Sequence, residues 1–271
     1  MQLSFARSLL FLPASNARAV EKARGLMCDM VILDLEDAVP DAQKDAARDA
    51  AVAATQRGYP EKLMGIRINM VGTPWHGVDM MAVKASASDY VVVPKVEKAS
   101  QVHDVRSVCE KPVIAMIESA LGLLAARDIA AQSGTAALFI GVNDLRKDLG
   151  IPSGTDRQGL SLALQTVVLA ARASGKAVFD GVYNRLDDPD GLAAECREGR
   201  NFGFDGKTLI HPGQVEIANG IYGPDAVAIA DAHRLIDAAT GGAERFEGAM
   251  IEAMHVDAAR ALIARAEALR A

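Results

Sequence analysis

Eight short β-type runs recur along the chain with alanine-rich helical stretches between them, and this rhythm restricts the fold more than any other feature. The runs are SLLFLP (8–13), MVILDLED (30–37), LMGIRIN (63–69), YVVVPKV (90–96), PVIAMIES (112–119), AALFIGVND (136–144), KAVFDGV (176–182) and GKTLIHP (206–212). Helical stretches include 15–26, 41–57, 119–131, 157–174 and 189–199. The runs are uniformly apolar rather than alternating, the pattern of parallel strands covered by helices on the outside. Eight such units predict an α/β fold, a closed (β/α)8 TIM barrel. No glycine-rich GxGxxG follows the first run, which argues against an open dinucleotide-binding sheet. SNARAVEKA opens with a Ser or Asn N-cap, Pro189 fits a first helical turn, and Asp156 and Asp188 read as caps. The barrel is expected over 1–222, with a short C-terminal helical lid or oligomerisation segment over 223–271.

Composition narrows the class. The chain has 271 residues, half of them hydrophobic but only 4% aromatic, so the core is aliphatic. A net charge of −6 leaves no basic field for a nucleic acid. No run of apolar residues is long enough to span a membrane. The start, MQLSFARSLLFLPAS, has only Arg7 before a short apolar run that ends in Pro13, and reads as a first strand rather than a signal peptide. Three well-separated cysteines, Cys28, Cys109 and Cys196, suggest reduced thiols and a cytoplasmic location. Met80, Met81, Met116 and Met254 read as core filler.

The apolar runs end in charge. Glu36 and Asp37, Arg67, Lys95, Glu118, Asp144, Asp180 and His211 stand at the C-terminal ends of seven runs, and in such a barrel those ends ring one mouth. So many carboxylates beside one Arg and one Lys repel each other unless a cation neutralises them. A hard divalent ion held by two carboxylates and completed by waters and substrate oxygens fits Mg²⁺. The Cys and His residues are not at zinc spacings. Glu118 and Asp144, 26 positions apart (144 − 118) on adjacent strands, are the candidate metal ligands. Ordinary alternatives exist for each group. A strand-end carboxylate commonly caps a helix or joins a salt bridge, Lys95 can pair with Glu118 or Glu97, and His211 in LIHPGQ can hold a loop.

RSLLFLPAS, VILDLEDAVPDAQKDAAR, IRIN, VVPKVE, IAMIESALGL, FIGVNDL and GFDGKTLIHPGQV together resemble the citrate lyase β-subunit-like (HpcH/HpaI aldolase/citrate lyase) family, which includes malyl-CoA and citramalyl-CoA lyases. The resemblance spans nearly the whole chain. It implies a trimeric TIM barrel with Mg²⁺, a 3-hydroxyacyl coenzyme A thioester as substrate, and metal ligands at the positions of Glu118 and Asp144. The reaction it implies is carbon–carbon cleavage to an acyl-CoA and a 2-oxo acid. Arg67 is then expected to clamp the substrate carboxylate or a developing oxyanion. Glu36 and Asp37 orient it and hold water near the ion, while Lys95, Glu36 and Glu118 also face substrate. Arg7, Arg18 and Lys22 are candidates for the coenzyme's phosphates. The tail reads as a helix (PDAVAIADAHRLIDAAT), a Gly241–Gly242 break and a final helix from about 255. In the family this segment reaches over a neighbouring subunit's mouth with a carboxylate in a pattern like MID-x-P. Here the stretch is MIEAM (250–254), so Glu252 replaces the Asp and Met254 the Pro. That departure leaves a thioesterase, a CoA-independent class II aldolase, or a subunit needing an acyl-carrier protein as alternatives to the lyase.

Overall fold

The computed structural model describes residues 1–152 and 154–269. Eight parallel strands run β1 (Ser8–Pro13), β2 (Met30–Asp34), β3 (Leu63–Arg67), β4 (Tyr90–Val93), β5 (Val113–Ile117), β6 (Thr135–Ile140), β7 (Ala177–Asp180) and β8 (Gly206–Leu209). They close in sequence order into a barrel, as the eightfold rhythm predicts, with Ser8, Leu9 and Leu10 of β1 opposite Lys207, Thr208 and Leu209 of β8. Alternate residues of each strand face opposite ways. One set, including Leu9, Met30, Ile32, Val92, Ile114, Met116, Phe139 and Phe179, fills the barrel interior. Phe139 meets Phe179 edge-on at 5.3 Å between centroids. The other set, such as Leu10, Val31, Leu33 and Val178, packs under the helices. The short turn Leu3–Phe5 precedes β1 at the end of the barrel opposite the mouth.

Seven of the eight strands stop earlier than their apolar runs predict, and three of these ends bear on the candidate residues. β2 ends at Asp34 because its carboxylate accepts the N–H groups of Glu36 (2.9 Å) and Ala38 (3.1 Å), which turns the chain out of the ladder. β6 ends at Ile140, and Asp144 sits in the first turn of a helix, Val142–Asp148, rather than on the strand. β8 ends at Leu209, ahead of His211. Two expected caps are present: Asn16 accepts from Ala19 N–H at 3.0 Å, and Asp188 from Gly191 N–H at 2.9 Å with Pro189 in the first turn. Asp156 stands one residue before the N-cap, Arg157, and accepts the Gln158 N–H at 3.0 Å.

After the helix Val215–Tyr222, the chain forms helices Ala226–Ala238 and Ala253–Ala268 around a hairpin, β9 (Glu244–Phe246) and β10 (Ala249–Ile251). The sequence reading foresaw only a glycine break here, because three-residue strands are too short to show a period. Glu247 (φ 45°) and Gly248 (φ 87°) make the turn, with the two consecutive positive φ angles that a tight hairpin requires. Arg265 of the last helix donates to the carbonyls of Asp205 (2.6 Å) and Phe5 (3.5 Å), which lie just before β8 and β1. Within one chain, then, this helix docks at the end of the barrel away from the mouth. Met116 is buried and Met80 partly so, but Met81 and Met254 are exposed, so the core-filler reading fails for those two. All three cysteines are free and buried. Among the described residues, no helix is long and apolar enough to cross a membrane.

Candidate active site

The pleat decides which strand-end side chains meet. Interior Ile32 puts Asp34 inside two residues later, interior Gly65 does the same for Arg67, and interior Ile114 and Met116 lead to Glu118. Asp34 grips Arg67 through both carboxylate oxygens, at 2.6 Å to Nε and 2.6 Å to Nη2. Arg67 Nη1 lies 2.8 Å from Glu36 Oε2, an ion pair whose angle is too poor for a hydrogen bond, so that buried oxygen keeps an open lone pair. Phe11 lies under the guanidinium, 5.1 Å from its carbon. Of the five guanidinium N–H groups, Asp34 engages two and Glu36 lies beside a third nitrogen, which leaves donors for a ligand in the mouth. Burial works against the charge of Arg67, but Asp34 and Glu36 more than offset it and hold its pKa above the usual value.

Lys95 ties the strand ends together. Its ammonium sits 2.9 Å from Glu36 Oε1 and 2.9 Å from Asp144 Oδ2, and its backbone N–H donates to Glu118 Oε1 at 2.7 Å. A left-handed φ of 51° allows both, a conformation that costs a non-glycine residue about 1–3 kcal/mol. Burial pushes the Glu118 carboxyl up to about 7, Lys95 opposing and Glu36 adding to the rise. Gly141 makes room for that carboxyl, because a Cβ there would fall within 2.5 Å of the Glu118 Cβ. A cavity of about 400 Å³ opens over Phe11, Asp34, Arg67, Glu118, Gly141 and Asp144, and a second of about 530 Å³ adjoins it over Lys95, Glu118, Asp144, Lys147 and Asp148.

Several expected site residues lie elsewhere or act differently. Asp37 is mostly exposed and stands 3.9 Å from Arg67 and 3.8 Å from Lys95, so the close orienting partner of Arg67 is Asp34. The sequence reading missed Asp34, although a two-residue count back from Glu36 reaches it. Asp180 follows interior Phe179 and therefore points outward, into a buried cluster with Lys207 (2.9 Å) and both terminal nitrogens of Arg157 (3.0 Å each). Burial opposes the charge of Asp180, but Lys207 and Arg157 outweigh it and keep the pKa below the ordinary value. His211 is exposed and accepts the Gly213 N–H at 3.1 Å, which is the loop-holding alternative. Arg7 pairs with Asp29 at 2.8 Å before β1, at the wrong end for a coenzyme at the mouth. Arg18, one turn past β1, and Lys22 are exposed. Glu252 is exposed at the start of the last helix, its N–H donating to His255 Nδ1 at 3.0 Å, and it lines neither cavity.

The donor set fits a divalent cation. Asp34, Glu36, Asp37, Glu118 and Asp144 face Arg67 and Lys95, five carboxylates against two cations, an excess of three when all are ionised (5 − 2). Glu118 Oε1 accepts one backbone N–H, and burial raises its pKa by more than Lys95 and Arg67 lower it. Among the described residues no three-ligand cage of Asp, Glu, His or Cys occurs, so the protein's share would be the pair Glu118 and Asp144. Mg²⁺ commonly takes such a share together with waters and substrate oxygens.

Residues 7–212 match the HpcH/HpaI aldolase/citrate lyase family. The chain belongs to that family. As a family member it is an enzyme of the citrate lyase β-like type. It is 42% identical to a (3S)-malyl-CoA thioesterase of Cereibacter sphaeroides over 98% of this chain and 96% of the relative. It is 35% identical to the citrate lyase subunit beta of Leuconostoc mesenteroides subsp. cremoris over 86% of this chain and 82% of that one. The fold superposes with a TM-score of 0.84, at 35% identity, on protein CitE from Mycobacterium tuberculosis in complex with magnesium, acetoacetate and coenzyme A, covering 98% and 100% of the two chains. A further structure of the citrate lyase β subunit from M. tuberculosis holds oxaloacetate and magnesium.

Proposed function

We propose that this citrate lyase β-like enzyme is a Mg²⁺-dependent lyase that cleaves a 3-hydroxyacyl-CoA thioester of the malyl-CoA, citramalyl-CoA or citryl-CoA type to an acyl-CoA and a 2-oxo acid. The observation that carries the reading is the convergence of Glu118, Asp144, Arg67 and Lys95 on one mouth, with the carboxylates in excess. Glu118 and Asp144 would hold the ion. When bound, Mg²⁺ supplies the positive charge that draws in the carboxylate and hydroxyl oxygens of a 2-hydroxy acid and lowers the hydroxyl pKa. A free coenzyme A thioester is favoured over a carrier-bound acyl group, since the Mycobacterium relative holds coenzyme A itself.

Arg67 does not need to search for its geometry. Its Nε and Nη2 are locked on Asp34, so its remaining N–H groups face the mouth in a fixed direction. That fork suits a carboxylate or the oxygen that gains charge as the carbon–carbon bond opens. Lys95 keeps Glu36 and Asp144 in place and adds a second fixed cation for the same charge. Phe11, Met116, Ile140 and Val182 form the apolar side of the cavity and keep water from a carbanion-like centre. The proton needed at carbon would come from Glu252 of a neighbouring copy, in a trimer whose C-terminal segment (223–271) covers the adjacent mouth. In support, Glu252 is exposed and its helix docks at the far end of its own barrel. Arg18 and Lys22 remain the candidates for the coenzyme's phosphates.

A second reading, thioester hydrolysis, is favoured by the 42% identity to the Cereibacter thioesterase. One incubation separates the two. With (3S)-malyl-CoA and Mg²⁺, a lyase gives glyoxylate and acetyl-CoA, whereas a thioesterase gives malate and free CoA. Citramalyl-CoA in parallel reports the tolerance for an extra methyl group. Absence of acetyl-CoA and a 2-oxo acid from malyl-, citramalyl- and citryl-CoA alike would overturn the proposal.

A further inference from the structure

The two candidate ligands arrive on different elements, and something must set the distance between them. Glu118 follows β5, two residues before the helix Ala120–Leu124, while Asp144 rides on the seven-residue helix Val142–Asp148. A helix that short is not stable by itself and takes its place from tertiary contacts. Asn143 exchanges amide hydrogen bonds with Asn184. Arg146 donates to Thr155 Oγ1 (3.1 Å) and to the Asp156 carbonyl (2.6 Å). These two bonds tie the helix to later segments. Asp148 ties it to the Glu118 segment: its Oδ2 accepts the Ala120 N–H at 2.6 Å. Asp144 and Asp148 are four residues apart and so share one helix face, and both line the 530 Å³ cavity with Lys95 and Glu118. Two like charges on one face are unfavourable unless each has its own partner. Lys95 partners Asp144, and the Ala120 N–H partners Asp148.

We propose that Asp148 is a positioning residue for the Mg²⁺ site, fixing the spacing of Glu118 and Asp144 through its bond to the Ala120 N–H. The proposal rests on the reading of Glu118 and Asp144 as the ligands. It makes the carboxylate oxygen, as an acceptor, the working feature of Asp148, rather than its charge or a direct contact with the ion.

The donor can be removed as cleanly as the acceptor. Ala120 is the first helical residue and Ser119 before it is extended (φ −138°, ψ 160°), a position where proline is tolerated and its missing N–H breaks no helical bond. The test is calorimetric titration of Mg²⁺ into the full-length parent, Glu118→Ala, Asp148→Ala, Asp148→Asn, Ala120→Pro and the Asp148→Ala/Ala120→Pro double variant, with the melting temperature of each. Asp148→Ala and Ala120→Pro are each expected to weaken Mg²⁺ binding about 10- to 100-fold, as loss of a ligand's supporting partner does. The double variant should lose no more than either alone. Asp148→Asn, which keeps an acceptor oxygen, should bind close to the parent. Should Asp148→Ala fail to fold, Ala120→Pro and Asp148→Asn still decide. Parental affinity in Ala120→Pro, or loss in Asp148→Asn, would overturn the proposal. Unaltered binding in Glu118→Ala would instead remove the ligand assignment itself.

Discussion

Replacing Gly141 with alanine adds one methyl group, and the structure says what that methyl meets. Gly141 has a φ of −91°, so the backbone suits alanine and the consequence is steric only. The new Cβ would stand 2.5 Å from the Glu118 Cβ and 3.0 Å from its carboxyl carbon. Carbon atoms pack at about 3.5–4.0 Å, so Glu118 must retreat by about 1.0–1.5 Å. A displacement near 1 Å in a reacting constellation costs on the order of 10²-fold in rate, or about 2.7 kcal/mol of transition-state stabilisation. Gly141→Ala is therefore expected to lower kcat/KM about 10²-fold and to weaken Mg²⁺ binding, while circular dichroism and the melting profile still report a folded barrel. The assay is steady-state turnover of the thioester substrate beside a Mg²⁺ titration. Parental turnover and parental Mg²⁺ affinity in Gly141→Ala would refute the placement of Glu118.

Arg67→Lys removes a fork that spans Asp34 and Glu36, which a single ammonium cannot do; kcat/KM should fall about 10²- to 10³-fold, the usual cost of losing a fixed oxyanion donor, and a near-parental value would take Arg67 out of the mechanism. Lys207→Met removes the buried cation that Asp180 and Glu195 share; urea unfolding should show a loss near the lower end of about 3–5 kcal/mol, since Arg157 still pairs with both carboxylates. Burial raises the thiols of Cys28 to about 11 and of Cys109 and Cys196 to about 12. At pH 8 a thiol reagent should therefore label none of them in the native protein and all three after denaturation. Because the unfolded thiols ionise first, near 9.0, the thiols' contribution to stability should decline as pH rises from there toward 11 to 12. If Glu252 acts on a neighbour, mixing inactive Glu252→Ala and Arg67→Ala chains should regenerate about a quarter of the sites, as random pairing in a ring dictates; no regained activity would rule out its action at a neighbouring mouth.

The barrel was legible because its signal is coarse: eight apolar runs need only be counted. The site was legible in outline for the same reason, since charge at the end of an apolar run stands out. What did not show was direction. Asp180 and Arg67 both end their strands, yet only Arg67 faces the mouth, because Phe179 and Gly65 set the phase of each strand. Counting in twos would have selected Asp34 over Asp37. Contacts between distant segments, such as Arg7 with Asp29 or Arg265 with Asp205, leave no local pattern at all. Nothing in the sequence shows that the room Gly141 leaves is for the Glu118 side chain. The β9–β10 hairpin escaped because its strands are shorter than one alternation can reveal.

The proposed chemistry requires Glu118 and Asp144 to share one cation. The most direct measurement is the anomalous difference map of a crystal soaked in Mn²⁺ as a surrogate for Mg²⁺. One strong peak is expected, touching a carboxylate oxygen of each residue, with the Arg67 fork still seated on Asp34. A peak elsewhere on the barrel, or none while Asp144 stays bound to Lys95, would contradict it.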